Sequence, residues 1–145
     1  MKGSGKKGII LTILALGAVL IITVMAITGG SNPVKLESEE DRRSYISTLG
    51  ITVTGDAPKI QNIIIPAEFS PVYKRYNELQ KQSGFDLWNY RGEYAVQYTY
   101  RVANYKNDKG EIEADVRINL IVYEGKLIGG DISSTRLDGF MKGLG

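Results

Sequence analysis

The pattern of apolar and polar positions changes character along the chain. From Gly8 to Thr28 it reads GIILTILALGAVLIITVMAIT, an apolar run with no charge and no proline. At about 1.5 Å of rise per residue such a run crosses a hydrocarbon core of about 30 Å, so it predicts a transmembrane helix over 8–28. Gly29-Gly30-Ser31-Asn32-Pro33 cannot continue a helix and opens a flexible linker expected over 29–37. From Ser38 onward the apolar positions become periodic, predicting a domain over 38–145.

Two helices are expected in that domain. Ser38 is an N-cap for about ten residues that place Tyr45, Ile46 and Leu49 on one face, with Gly50 at the stop. Ile51 to Thr54 and Gln61 to Ile65 read as short strands, the second ended by Pro66. Ser70 caps a second helix, with Pro71 in its first turn and Gly84 at its end. Val72, Tyr73, Tyr76 and Leu79 share its apolar face, while Lys74 and Glu78 sit on a solvated one.

The last third alternates with period two. In the stretch from Glu93 to Tyr105 the even positions Tyr94 to Val102, and in that from Ile112 to Tyr123 the even positions Ile112 to Val122, are apolar or aromatic, which predicts half-buried strands with one wet face. Tyr94, Tyr98 and Tyr100 therefore read as core residues with satisfied hydroxyls. Asn107 to Gly110 joins the two strands as a turn with a glycine bulge, and Glu124-Gly125 is a two-residue hairpin turn that sets Val122 across from Leu127. The expected fold is α+β: a three-strand antiparallel meander from Glu93 to Thr135, its even face packed beneath the Pro71–Ser83 helix, in two layers with helices on one face.

Strict alternation from Leu127 would bury Asp131 and expose Ile132. One extra residue at Gly129-Gly130 restores Ile132 to the core and turns Asp131 to the wet face beside Asn119 and near Arg117. The Gly-Gly-Asp of a nucleotide cyclase is thus a false lead: Ile132-Ser133 stand where that signature needs acidic and aromatic residues.

Charge fixes orientation and excludes some partners. Lys2, Lys6 and Lys7 precede the apolar run, and Glu37, Glu39, Glu40 and Asp41 follow it, so residues 1–7 are expected to be a cytoplasmic stub and the domain to lie outside the cell membrane, single-pass. The alternative is secretion after cleavage near Ala26. Three of the 18 basic residues lie in the stub, leaving 15 against 16 acidic ones beyond it, a net charge of −1. That balance gives no footprint for nucleic acid.

Candidate chemistry is sparse. The chain has no His and no Cys, which removes the usual general base, the thiol nucleophile and the common zinc ligands, so no metal, cofactor or small-molecule ligand is expected. Asp108, Glu111 and Glu113 lack the ligand run of a calcium loop. The leading reading is a non-catalytic binding or regulatory module in the cell envelope, held to the lipid bilayer by its N-terminal helix and meeting another envelope protein through Arg101, Arg117, Asn119, Tyr123 and Asp131 on the wet face. The alternative is an enzyme acting on cell-envelope polymer through Asp and Glu carboxylates.

The segments SEEDRRSYISTLG, IPAEF, VYKRYNELQKQSGFDL, YTYRVANY and LIVYEGKLIGGDISSTRLDGF span nearly all of the chain from Ser38 onward. With them the chain resembles a bacterial family filed as domain of unknown function 4830. The resemblance implies a short Gram-positive membrane or exported protein and carries no activity or catalytic residue. Leu49-Gly50-Ile51-Thr52 departs from the Gly-Trp pair expected of relatives.

Overall fold

The computed structural model describes residues 32–145. The expected stub and the expected span at 8–28 lie outside the described residues, and among the described residues no helix is long and apolar enough to cross a membrane. The expected linker is shorter at its C-terminal end than 29–37. Leu36 is fully buried, its N–H donates to the Gly125 carbonyl at 2.7 Å, and the Leu127 N–H donates to the Val34 carbonyl at 2.9 Å. This stretch therefore packs as part of the domain.

Both helices form where caps and stops place them. Helix α1 spans Glu39–Thr48. Ser38 Oγ accepts from the Asp41 N–H at 3.0 Å, and the Asp41 carboxylate accepts from the Ser38 N–H at 2.8 Å, a reciprocal capping box. Those bonds hold the Asp41 carboxyl below its ordinary pKa. Helix α2 spans Pro71–Gln82, with Ser70 Oγ accepting from the Tyr73 N–H at 3.2 Å. It leads into a 3-10 turn, Leu87–Tyr90.

The fold is α+β around a five-stranded antiparallel sheet in the order β1-β2-β3-β4-β5. The strands are β1 Lys59–Ile64, β2 Tyr94–Arg101, β3 Val116–Tyr123, β4 Lys126–Ser134 and β5 Met141–Lys142. Glu124 and Gly125, at φ 47° and 74°, make the β3–β4 turn, and it pairs Tyr123 with Lys126 and Val122 with Leu127 as the spacing predicts.

The helices do not share a face. The even residues Tyr100, Ile118, Leu120 and Val122, with Leu127 and Ile132, form one core under Ile46 of α1. The odd residues Ala95 and Ile121, with Ile128, Ile65 and Leu87, form a second under Tyr73 and Tyr76 of α2. The expected two-layer packing, with the even face beneath the Pro71–Ser83 helix, is thus corrected: α1 takes that position. α1 buries Ile46 and Arg42, the latter bonded to the Tyr100 hydroxyl of the even face, whereas α2 buries two amides, Asn77 and Gln80, whose partners are the Asp86–Leu87 turn and the Gly130 N–H.

The strands are also shorter than their alternation. Ile51 to Thr54 contributes a single bridge, Val53 with Val102. The side chain of Asn104 bonds both the Thr52 N–H (2.8 Å) and the Gly50 carbonyl (3.0 Å), and after Val102, whose N–H still reaches the Val116 carbonyl at 3.0 Å, the Ala103 N–H turns to Thr52 instead of β3. Ile112 is consequently exposed and β3 begins only at Val116. Tyr100 is core, its hydroxyl within 3.0 Å of Arg42 Nε and 3.2 Å of Glu39 Oε2. Tyr94 is not: it is 73% exposed, at a corner α1 does not reach.

Candidate binding site on the half-covered sheet face

The odd face is apolar at one end and polar at the other, and α2 covers only the β4 side. Register sets the polar part: Lys59 lies across from Thr99 and Gln61 across from Gln97, while Asn119 pairs with both Thr99 and Asp131. Thr99 Oγ1 donates to Asn119 Oδ1 at 2.6 Å, and the Gln97 amide reaches both at 3.4 Å. Asn119 Nδ2 then donates to Asp131 Oδ1 at 2.9 Å. One hydrogen-bonded row of side chains therefore crosses three strands.

Asp131 ends the row, placed there by a bulge. The ladder shifts between Ile121 and Val122, Ile121 facing Gly129 while Val122 faces Leu127, so the additional residue is Ile128. The bulge lies one residue earlier than the glycines that the alternation singles out, and neither Gly129 nor Gly130 adopts a positive φ. The glycines serve close approach instead. A Cβ on Gly129 would lie 2.9 Å from Gln80 Oε1, and one on Gly130 would collide with the Asn119 carbonyl. As predicted, Ile132 faces the even core and Asp131 lies beside Asn119.

The face around Asp131 is not wet. Asp131 is 3% exposed because Tyr76 lies over it, donating its hydroxyl to Oδ2 at 2.9 Å. Burial, and then the Asp131 charge, push the Tyr76 hydroxyl far above its ordinary pKa, so it stays a donor. One turn later Gln80 Oε1 accepts from the Gly130 N–H at 2.8 Å, supplying the bond that the two-residue β5 is too short to give. Gln80 Nε2 is left without a partner among the described residues. Asn77 donates to Asp86 Oδ1 and accepts from the Leu87 N–H, both at 2.8 Å, tying α2 to the 3-10 turn. Its bond lowers the Asp86 carboxyl pKa.

Between α2 and the row lies an open groove of about 400 Å³, walled by Ile63, Tyr73, Tyr76 and Met141 and floored by Gln97, Asn119, Ile121 and Asp131. The five residues that the sequence assigns to the wet face divide into three groups. Asn119 and Asp131 meet in this groove. Arg101 and Arg117 are direct cross-strand partners at the open end, and Arg117 Nη1 bonds the Val116 and Ala114 carbonyls (3.0 and 3.4 Å) rather than Asp131. Tyr123 lies at the other end, its ring 5.3 Å from Tyr90 and its hydroxyl 3.3 Å from Glu93. Tyr76, Gln97 and Thr99 belong to the site and were missed. The alternation does mark Gln97 and Thr99 as odd-face residues, but nothing local shows that α2 crosses to that face.

Among the described residues no group of three or more acidic side chains is placed to hold a metal ion. What the groove offers is an aromatic and aliphatic wall over a floor of amides and one carboxylate, with guanidinium groups beyond. The donors and acceptors of that floor are held in place by their own hydrogen bonds. Residues 50–132, more than half of the chain and all of the row from Tyr76 to Asp131, match the family model described as Domain of unknown function (DUF4830). The chain belongs to that family. Neither the curated proteins nor the solved structures provide a significant match.

Proposed function

We propose that the chain is a single-pass, membrane-tethered extracytoplasmic module that recognises another envelope protein through the open part of its α2 face. The apolar run at 8–28 with lysines before it and acidic residues after it supports the tether. The observation that carries the binding role is the row Gln97, Thr99, Asn119 and Asp131, prearranged in the groove floor beneath Tyr76. A half-apolar, half-amide groove suits an extended segment of polypeptide, whose side chains fill the wall and whose peptide groups meet the floor. The two-carboxylate alternative gains no support here, because Asp131 is the single carboxylate lining the groove and both its oxygens are already engaged.

A photo-cross-linking residue at Gln97 or Arg117 in the full chain tests the face in intact cells. A discrete adduct from those positions, and none from Glu40 on α1, is the expected outcome. Equal adducts from all three, or none, defeat the assignment. The tether is tested separately: a cysteine at Ser31 should react with an impermeant maleimide in whole cells and one at Ser4 should not. The opposite labelling reverses the topology, and a mature N-terminus at Ile27 replaces the tether with secretion.

A further inference from the structure

The two edges of the sheet are finished differently. The β5 edge is two residues long, and beyond it Gln80 occupies the Gly130 N–H. The β1 edge runs for six residues, KIQNII, with no proline inside it, and on the side away from β2 no strand among the described residues pairs with it. Its side chains are exposed except Ile63, which is partly buried. Natural sheets blunt such an edge with charge, proline or a bulge, and β1 carries only Lys59 at its start.

We propose that β1 pairs antiparallel with β1 of a second copy of this chain, about a two-fold axis at Asn62, joining two sheets into one. The direction of the backbone groups fixes the axis. Ile65 directs its N–H to the Glu93 carbonyl (2.9 Å) and its carbonyl to the Gly92 N–H (2.8 Å), both on the β2 side. Backbone groups alternate in direction along an antiparallel strand, so those of Ile60, Asn62 and Ile64 point away from the sheet. These three are symmetric about Asn62. In that register each Asn62 exchanges two bonds with its counterpart, and each Ile60 faces Ile64 of the second copy.

Apolar surface and charge agree with this register. Ile60 and Ile64 are 62% and 54% exposed, on the same face as Tyr94, which stands across from Ile64 and is itself 73% exposed. The exposed parts of Ile60, Ile64 and Tyr94 from two copies, with two paired edges, make a contact smaller than the roughly 1,200 Å² at which stable, specific interfaces begin. The dimer is accordingly reversible rather than permanent. Lys59 of the second copy falls across from Ile65, on the face that carries Glu93 one strand further in. The two Lys59 side chains stand six residues apart, about 20 Å, and do not repel.

The full chain contains no cysteine, so a disulfide reads the register directly. A hydrogen-bonded antiparallel pair sets its Cα atoms about 5.5 Å apart, within disulfide reach. Asn62→Cys in membranes should give a disulfide-linked dimer on mild oxidation, at least tenfold faster than Lys59→Cys. Ile60→Cys should cross-link with co-expressed Ile64→Cys and not with itself. Asn62→Pro removes only an outward N–H, so the purified full chain should keep its melting point and lose its dimer in sedimentation. Equal cross-linking at Lys59, a monomer with a folded Asn62→Cys chain, an adduct with a different protein, or a dimer that survives Asn62→Pro would each overturn the proposal.

Discussion

The face under α1 and the face under α2 are built from the same strands, yet they solve burial in different ways. Under α1 the strand residues are aliphatic apart from Tyr98 and Tyr100, and the one charged group taken in, Arg42, is shared among Tyr100, Glu39 and the Leu36 carbonyl, with its guanidinium 3.8 Å above the Tyr98 ring. Under α2 the apolar patch around Ile121 and Ile128 ends at Asp131, and the rest of the face is amides, hydroxyls and cations left open. One face is a completed core. The other is half core and half surface, and the boundary between them is where α2 stops covering β2 and β3. Specific recognition is easiest at such a boundary, because rigid backing and solvent access occur within one side chain of each other.

Substitutions that exchange the properties of the two faces measure this contrast. Val116→Asp places a charge in the α1 core, where Val116 is fully buried among Tyr100, Val102, Ile118 and the other apolar residues of that cluster. It should cost several kcal/mol and abolish the cooperative melt followed by circular dichroism. A retained melt would show that the even face tolerates charge and is no core.

The bulge ranks next. Gly130→Ala drives a Cβ into the Asn119 carbonyl and to 2.8 Å from Leu144 Cδ1, and a backbone atom cannot rotate away. We expect a loss of about 3 kcal/mol in urea unfolding. Gly129→Ala meets side-chain ends, Gln80 Oε1 at 2.9 Å and Leu87 Cδ2 at 3.1 Å, and should cost less, about 1–2 kcal/mol. Equal costs would mean that the bulge, and not close approach, dictates both glycines.

Asp131 tests the boundary itself. Were it exposed, Asp131→Asn would change stability by about 0–1 kcal/mol. Buried beneath Tyr76, with Asn119 donating to Oδ1, it should lose about 1–3 kcal/mol, because two donors share one carboxylate and an Asn oxygen can accept only one of them while its NH2 faces the other. Tyr76 adds a pH signature. Its folded-state pKa is raised, so above about pH 10 the unfolded chain loses the proton that the folded chain keeps. Stability present below that pH should fall as pH rises, and Tyr76→Phe should flatten the fall in urea midpoints between about pH 9 and 11. Tyr45, Tyr73 and Tyr100, also raised by burial, leave a residual slope. An unchanged slope in Tyr76→Phe would remove Tyr76 from the buried pair.

The same contrast explains what could be read from the chain. Caps and stops are local chemistry, so Ser38, Gly50, Ser70 and Gly84 placed both helices within a residue or two of their ends. The parity of the last hairpin is also local once Glu124-Gly125 is read as a turn, and it put Asp131 beside Asn119 before any tertiary contact was known. The side of the sheet on which each helix lies is not local. The Tyr73 and Tyr76 stripe of α2 reads like any core stripe, while its deepest residues, Asn77 and Gln80, read as surface. Their burial depends on partners at Asp86, Leu87 and Gly130 that no periodicity reveals. The groove was therefore legible as a floor and missing its wall.

The smallest effect is expected at the open end of the same face. Register sets Arg101 directly across from Arg117, and like charges so placed repel by a fraction of a kcal/mol. The compensation is slight: Asp56 stands 4.0 Å from Arg101 with both side chains more than half exposed, and Arg117 turns back on two carbonyls of its own segment. Arg117→Glu exchanges the repulsion for attraction and gives up those carbonyl bonds, two changes of opposite sign and similar size. The melting midpoint should move by the equivalent of about 0.5 kcal/mol or less, while its dependence on salt reverses: added salt screens the repulsion in the parent chain and the attraction in the variant. Together with intact folding, loss of the cross-linked adduct at Gln97 in this variant would assign the arginine pair to recognition. A large loss of stability would instead make the open end a structural part of the sheet, and the contrast between the two faces would have to be redrawn further from α2.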